Sequence, residues 1–219
     1  MTQRHSGGLT GRRYLGPSAR RGTRLPLWPK IAVTAFVVVL VPVYWRAYGP
    51  GNFLWFSDLA LFALAVALWR ESALIVSVTA VGVLALEIAW TFDFLTGGRI
   101  LHLAAYMYDD SLPLGLRALS GFHLVIPPAL ILMLARLGYD RRALGIQIIV
   151  AWAVLLATWL LTAPEKNINW VYGWGTEPQH VMSPVLYLAL VMAALPVVVF
   201  LPTHLVLKRI FPPPGHRAI

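Results

Sequence analysis

The chain alternates between long apolar segments and short polar or basic stretches. Apolar segments of about 18 residues recur, and this is the length that an α-helix needs to cross the roughly 30 Å of hydrocarbon in a bilayer. The pattern therefore predicts an all-α fold, a polytopic membrane protein built as a bundle of six transmembrane helices. The segments lie at about 31–45, 53–69, 73–95, 118–135, 144–162 and 184–207.

Prolines interrupt two of these segments. Pro127 and Pro128 stand inside the fourth segment, and Pro196 and Pro202 stand inside the sixth. Proline removes a helical hydrogen bond, although neighbouring helices can satisfy the freed carbonyl groups in a membrane. We therefore expect the fourth helix to be kinked or broken and the sixth to be bent.

Composition agrees with this class of protein. Of the 219 residues, 58% are hydrophobic and 12% are charged, whereas a soluble domain carries about 25% charged residues. The absence of cysteine excludes disulfides, thiolate metal sites and cysteine nucleophiles. The length leaves no room for a second domain beside the bundle. We predict a basic, disordered cytoplasmic tail at 1–30, the transmembrane domain at 31–211 and a short cytoplasmic tail at 212–219.

The net charge of +9 is distributed as in a membrane protein. Seven cations and no acid precede the first apolar segment, and such basic tails typically set topology and contact anionic lipid. If the N-terminus is cytoplasmic, 14 of the 18 Lys and Arg residues fall on the cytoplasmic side. We therefore predict an inner (cytoplasmic) membrane protein with both termini cytoplasmic and the first segment retained as a signal-anchor. The expected partners are membrane lipids and not nucleic acid, and a homo-oligomer is left open.

Ionisable residues concentrate in the outer half of the predicted bundle. Glu87 lies about two turns inside the third segment and Asp93 lies near its outer end. Ser57 and Asp58 lie near the outer start of the second segment, and His123 opens the fourth. Intramembrane ionisable residues typically face the bundle interior or a water-filled cavity. We therefore predict an outward-facing polar pocket, to which the outer loops add Arg117, Asn167, Asn169 and Trp170.

Acyl transfer or hydrolysis on a lipid is the leading hypothesis for this pocket. Ser57 would be the nucleophile and His123 the base, with the imidazole oriented by Glu87 or Asp93. Amides in the outer loop would donate hydrogen bonds to a developing oxyanion. In this hypothesis the residues that bind the substrate are Asp58, Arg117, Asn167, Asn169 and Trp170.

Two other kinds of site fit the same residues. Carboxylates and histidines at the outer face resemble ligands for a divalent metal, although there is no HExxH motif, so we assign no metal ligand and no cofactor. A proton or ion relay through Asp58, Glu87, Arg117 and His123 would suit a carrier.

A non-catalytic binding, assembly or carrier protein is the alternative from another class. In such a protein Glu87 would pair with Arg117 or Arg99 to lock the helices together. Geometry separates the two classes, because an enzyme of this kind needs Ser57 within hydrogen-bond reach of His123 and facing a cavity.

Several short motifs carry a resemblance to known families. The stretches NFLWFSD, EIAWTFD, LRALSGFH, RLGYDRRA and NINWVYG resemble a group of bacterial six-span proteins called membrane-associated proteins, over most of the chain after residue 45. More distantly, the pattern is similar to the YwaF-type integral membrane family, whose members carry a Leu-His-Leu-Cys stretch, an intramembrane His and an Asn-Tyr pair. The counterparts here are LWFS at 54–57, His123 and the Asn-Trp pair at 169–170, so Trp55, Ser57 and Trp170 depart from that pattern. Relatives of that kind include lipid acyltransferases, so the resemblance implies lipid chemistry.

Overall fold

The computed structural model describes residues 25–175 and 177–215. Every regular element in these two ranges is a helix, and they contain no β-strand, so the prediction of an all-α fold is confirmed. The α-helices are α1 (Leu27–Tyr48), α2 (Phe56–Arg70), α3 (Ala73–Leu95), α4 (Leu114–Ser120), α5 (Ile126–Leu137), α6 (Ala143–Leu161), α7 (Pro184–Ala194) and α8 (Leu201–Ile210).

Five helical segments in the described residues are long and apolar enough to cross a membrane. They correspond to the first, third, fourth, fifth and sixth predicted segments. The second predicted segment is α2, whose 15 residues rise about 22 Å, less than the thickness of the hydrocarbon core. The five segments are Leu27–Tyr48, Ala73–Leu95, Leu114–Leu137, Ala143–Leu161 and Pro184–Ile210.

Contacts between helix ends show how α2 lies relative to the longer helices. Glu71, just after α2, accepts a 2.6 Å hydrogen bond from Lys30 in the first turn of α1. At the opposite end, the Phe56 N–H at the start of α2 donates to Asn169 Oδ1 at 3.0 Å. The short helix α2 therefore runs between the same two ends of the bundle as α1. We call them the short-loop end (residues 71–72 and 138–142) and the long-loop end (49–55, 96–113 and 162–183).

The predicted N-terminal tail overlaps with α1. Residues 1–24 of that tail lie outside the described residues, but α1 begins at Leu27, so Lys30 is helical. The Lys30 side chain is largely buried and forms an ion pair with Glu71. The helix thus begins four residues earlier than the apolar pattern predicted, because a neighbouring carboxylate neutralises the lysine.

The fourth and sixth predicted segments are both interrupted near their prolines, whereas α1 continues through Pro42. In the fourth predicted segment, α4 is followed by a 3₁₀ turn at Gly121–Leu124, and α5 then begins with Pro127 and Pro128 in its first turn. Proline is tolerated there because N–H groups in the first helical turn have no intrahelical partner. In the sixth segment, Leu195–Phe200 is π-helical between α7 and α8. The break in the fourth segment places His123 in the 3₁₀ turn rather than in a helix.

Helix α3 is the central element of the bundle. It packs against α2, α5 and α6, and its N-terminus is capped by Ser72, whose Oγ accepts a hydrogen bond from the Ile75 N–H. About 56% of its apolar window is buried, compared with 11% for α1. Because α3 is surrounded by other helices, both of its acids, Glu87 and Asp93, face protein.

Candidate functional site

The buried hydrogen-bonded pair of Glu87 and His123 is the centre of the candidate site. Glu87 Oε2 lies 2.7 Å from His123 Nδ1, and the side chains are only 4% and 12% exposed. Glu87 is on α3, and His123 is in the 3₁₀ turn between α4 and α5. The break in the fourth span therefore brings the imidazole onto the central helix.

Two aromatic rings hold the His123 ring in place. The Trp90 ring stacks on the imidazole with centroids 4.3 Å apart, and the Phe122 ring stacks on it at 4.4 Å. Trp90 follows Glu87 by three residues on α3, so both side chains lie on the same face of that helix. Carboxylate and indole together fix the position of the ring and the direction of its Nδ1–H bond.

A second buried carboxylate lies near this pair. Asp58 is 3% exposed, and within the described part of the chain its Oδ1 has no hydrogen-bond partner. Its charge is repelled by that of Glu87. Two acids from α2 and α3 thus share one poorly hydrated region, where each charge is expensive.

Hydroxyl groups extend the polar cluster towards the long-loop end. Tyr44 on α1 and Ser120 on α4 are joined by a 2.7 Å hydrogen bond between their side-chain oxygens. Tyr106, in the loop before α4, lies beside Ser120 and Trp90. Burial raises the pKa of Tyr106 to about 12, so the phenol stays neutral at physiological pH and keeps its proton to donate.

The His123 ring has one nitrogen that no described residue binds. Nδ1 meets Glu87, and the hydrogen bonds of residues 25–175 and 177–215 include none to Nε2. When Nδ1–H donates to the carboxylate, a neutral imidazole carries its lone pair on Nε2. The next residues in the chain, Leu124 and Val125, are 37% and 52% exposed, so the ring lies close to the apolar outer surface of the bundle.

Ser57 is not joined to His123. The helix α2 turns Asp58 into the bundle, whereas Ser57 is half-buried and forms no side-chain hydrogen bond with a described residue. Of the predicted triad of Ser57, His123 and an acid, the structure brings together His123 and Glu87. The role of Ser57 as a nucleophile stays a prediction.

The Asp93 carboxylate accepts hydrogen bonds from the backbone of the adjoining loop. It is fully buried; its Oδ1 accepts hydrogen bonds from the N–H groups of Ile100 and Leu101, and its Oδ2 accepts one from the N–H of Ala104. All three bonds are between 2.7 and 3.1 Å. No hydrogen bond joins Asp93 to His123 among the described residues, so Glu87 is the acid that contacts the imidazole.

The two loop asparagines also bond to backbone groups. Asn167 Nδ2 donates to the Gly173 carbonyl at 2.8 Å, and Asn167 Oδ1 accepts from the Tyr172 N–H at 2.9 Å. Asn169 Nδ2 donates to the Leu54 carbonyl at 2.7 Å. Asn167 therefore holds its own loop in shape, and Asn169 fixes that loop to the start of α2. Neither side chain bonds to His123 among the described residues.

Arg117 and Trp170 occupy other surroundings. Arg117 donates to the Met107 carbonyl at 3.2 Å and contacts Asp110 at 3.3 Å. The Trp170 ring packs on Trp174 with centroids 4.8 Å apart. The alternative pairing of Glu87 with Arg117 is not formed, because the arginine contacts the loop before α4 and the carboxylate contacts His123.

The surface grooves lie apart from the Glu87–His123 pair. Two surface grooves, of about 450 and 290 Å³, are lined by residues of α1 and of the loops at the long-loop end, and neither is lined by Glu87 or His123. No group of three or more His, Asp or Glu side chains within residues 25–175 and 177–215 is placed to hold a metal ion.

Several members of the cluster escaped the sequence analysis. Tyr44, Tyr106 and Ser120 were not among the predicted site residues. The spacing offered two signals, because Trp90 follows Glu87 by three residues and Ser120 precedes His123 by three. Residues at this spacing share one face of a helix or helical turn.

Comparisons with protein-family models, with curated proteins and with solved structures find no match to this chain. The resemblance to the YwaF-type family therefore stays a prediction, and the functional argument rests on the geometry of the site.

Proposed function

We propose that this chain is a six-span inner-membrane protein that acts on a lipid ester at the outer leaflet, with His123 as general base and Glu87 as the positioning acid. The observation that carries the proposal is the 2.7 Å contact between Glu87 Oε2 and His123 Nδ1 inside an apolar bundle. A carboxylate that binds one imidazole nitrogen leaves the other able to take a proton, which is the arrangement used in acyl transfer.

Two arguments support the topology. The short helix α2 runs between the same two ends as the longer helices, so it supplies the sixth crossing. Its missing length is made up by local thinning of the bilayer, or by the 3₁₀ turn at Pro50–Leu54 if that turn lies inside the bilayer. Of the 11 Lys and Arg residues in the described ranges, seven lie at or near the short-loop end, which favours that end as cytoplasmic. They are Lys30, Arg70, Arg136, Arg141, Arg142, Lys208 and Arg209. Both termini are then cytoplasmic, and Glu87 and His123 lie in the outer half.

The chemistry follows from the free nitrogen of His123. Nε2 removes a proton from the hydroxyl of water or of an acceptor lipid, and the resulting oxygen attacks the ester carbonyl. The carbon–oxygen bond to the glycerol then breaks, and the imidazolium returns the proton to the leaving alkoxide. Water gives a free fatty acid and a lysolipid, and an acceptor lipid gives acyl transfer. This route departs from the serine mechanism, because water or the acceptor hydroxyl replaces Ser57, which shares no hydrogen bond with His123 among the described residues.

A lipid is the substrate class that suits the position of the site. The imidazole lies beside Leu124 and Val125, which are exposed on the surface that faces hydrocarbon in this topology. An ester in the outer leaflet can approach sideways without crossing the loops. Asp58, whose Oδ1 has no described partner, would accept a hydrogen bond from a hydroxyl group of the substrate.

The test compares wild type with His123→Asn and Glu87→Gln, each purified and examined for co-purifying lipid by mass spectrometry and for thermal stability. Asn at 123 and Gln at 87 can still form a hydrogen bond with the remaining partner, so the fold is retained. His102→Asn is the matched control, because His102 is exposed and has a φ of 56°, which Asn tolerates. We expect a changed acyl composition in the two site variants and none in the control. Early melting of both variants with an unchanged lipid profile would show that the pair is structural.

A further inference from the structure

Two grooves at the long-loop end meet at the last turn of α1. One, of about 450 Å³, is lined by Pro42, Val43, Arg46 and Ala47. The other, of about 290 Å³, includes Ala47, Asn52, Trp55 and Lys166 in its lining. Ala47 belongs to both linings, so the two grooves adjoin at the last turn of α1. We call the two grooves together the depression, and each of them has one cation in its lining.

Both cations have unused hydrogen-bonding capacity. Lys166 Nζ donates to the Tyr48 carbonyl at 2.9 Å, which leaves two of its three N–H groups. Arg46 forms no ion pair and no side-chain hydrogen bond with any residue in the described ranges. The bond from Lys166 to the Tyr48 carbonyl caps the end of α1. No such structural role accounts for the Arg46 guanidinium.

The depression lies at the depth of lipid headgroups. Arg46 is in the last turn of a helix long enough to cross the membrane, and the side chains of Val38 and Val39, two turns earlier, are 66% and 54% exposed. Trp55 lines the groove, and Trp45, which precedes Arg46 in the chain, is 57% exposed. Tryptophan is enriched at the interface between hydrocarbon and water. Acyl chains would lie along the valines and the headgroup beside the cations.

We infer that this depression binds the phosphate of an anionic glycerophospholipid, with Arg46 and Lys166 as the phosphate ligands. Guanidinium and ammonium groups donate several hydrogen bonds to phosphate oxygens, and the Asn52 amide in the groove can supply another. Two cations at one phosphate favour a lipid with a net negative charge over a zwitterionic lipid. None of the groove residues belongs to the Glu87–His123 pair, so this site goes beyond the proposed catalysis and does not depend on it.

The test uses the purified full-length chain in neutral detergent, titrated with phosphatidylglycerol or phosphatidylcholine and followed by native mass spectrometry. Each cation near an anionic lipid contributes about fivefold in affinity, so Arg46→Gln together with Lys166→Gln should weaken phosphatidylglycerol binding about 25-fold. Arg99→Gln is the matched control, because Arg99 is an exposed arginine at the same end that lines neither groove.

The single variant Arg46→Gln guards against a folding defect. Arg46 has no described partner to lose, so this variant should melt like wild type and bind phosphatidylglycerol about fivefold more weakly. Arg46→Lys keeps the charge and should retain most of the affinity. Unchanged binding in the double variant, an equal loss in Arg99→Gln, or equal affinity of the wild type for the two lipids would each overturn the site.

Discussion

Replacement of Asp93 by Asn should destabilise the protein strongly. The carboxylate accepts three backbone hydrogen bonds, two at Oδ1 and one at Oδ2, the latter from the Ala104 N–H at 2.9 Å. Asn keeps one acceptor oxygen, but its NH₂ group faces the N–H of Ala104, donor against donor. A lost hydrogen bond to a charged group costs about 1.5–3 kcal/mol, and a buried donor without a partner costs about 1–3 kcal/mol more. We therefore expect a loss of about 3–5 kcal/mol in the free energy of unfolding.

The assay is reversible unfolding in mixed micelles, with limited proteolysis of the 97–113 loop as a second readout. Asp109→Asn is the control, because the exposed carboxylate of Asp109 accepts one local hydrogen bond from the Ser111 N–H and should contribute about 0.5 kcal/mol. Asp93→Asn should also expose the loop to protease. If Asp93→Asn unfolds within about 1 kcal/mol of wild type but abolishes lipid turnover, Asp93 is part of the catalytic machinery and our interpretation of it as a loop anchor is wrong.

Three further predictions concern other contacts. Lys30→Met removes the ammonium 2.6 Å from Glu71 and should cost about 3 kcal/mol in the same unfolding assay, and a loss near zero would mean that the pair is fully solvated. Asn169→Ala removes a side chain that bonds to the backbone on both sides of the start of α2, and should cost about 2–3 kcal/mol; a wild-type unfolding curve would contradict this. The Arg142 guanidinium lowers the pKa of Asp140, so the carboxylate stabilises the fold above its unfolded pKa of about 3.9 and this stabilisation is lost as the pH falls. The stability difference between wild type and Asp140→Asn should accordingly shrink between pH 6 and pH 3, and a constant difference would contradict that assignment.

Segment length and apolarity were enough to predict the long helices, because crossing hydrocarbon demands a run of apolar residues wherever the helix lies in the bundle. They did not predict where α2 begins, since the apolar segment at 53–69 includes the end of the 3₁₀ turn at Pro50–Leu54 and the helix starts only at Phe56. The end of that turn is fixed by Asn169 from a distant loop, a contact that no local pattern reveals.

The depth of polar residues was predictable, but their partners were not. Glu87 and His123 were both predicted to lie in the outer half of the bundle, and the structure joins their side chains. Their contact depends on which face α3 turns towards the fourth span and on the break at Gly121–Leu124. That break lies just before Pro127 and Pro128, the residues from which it was predicted. Asp93 and Asn167 bond to backbone groups, and the spacing of side chains in the sequence does not predict such partners.

The central claim is tested most directly by a rate of lipid conversion. Wild type and His123→Asn are each reconstituted in proteoliposomes, and the conversion of a synthetic outer-leaflet phospholipid is measured. Our account predicts that wild type releases lysolipid, or transfers the acyl chain to an acceptor lipid. It predicts that His123→Asn, with an unchanged melting temperature, is slower by about 100-fold or more, as expected for loss of a general base. Equal rates in the two samples, or no turnover by wild type above protein-free vesicles, would contradict it and leave the Glu87–His123 pair as a structural tie between α3 and the fourth span.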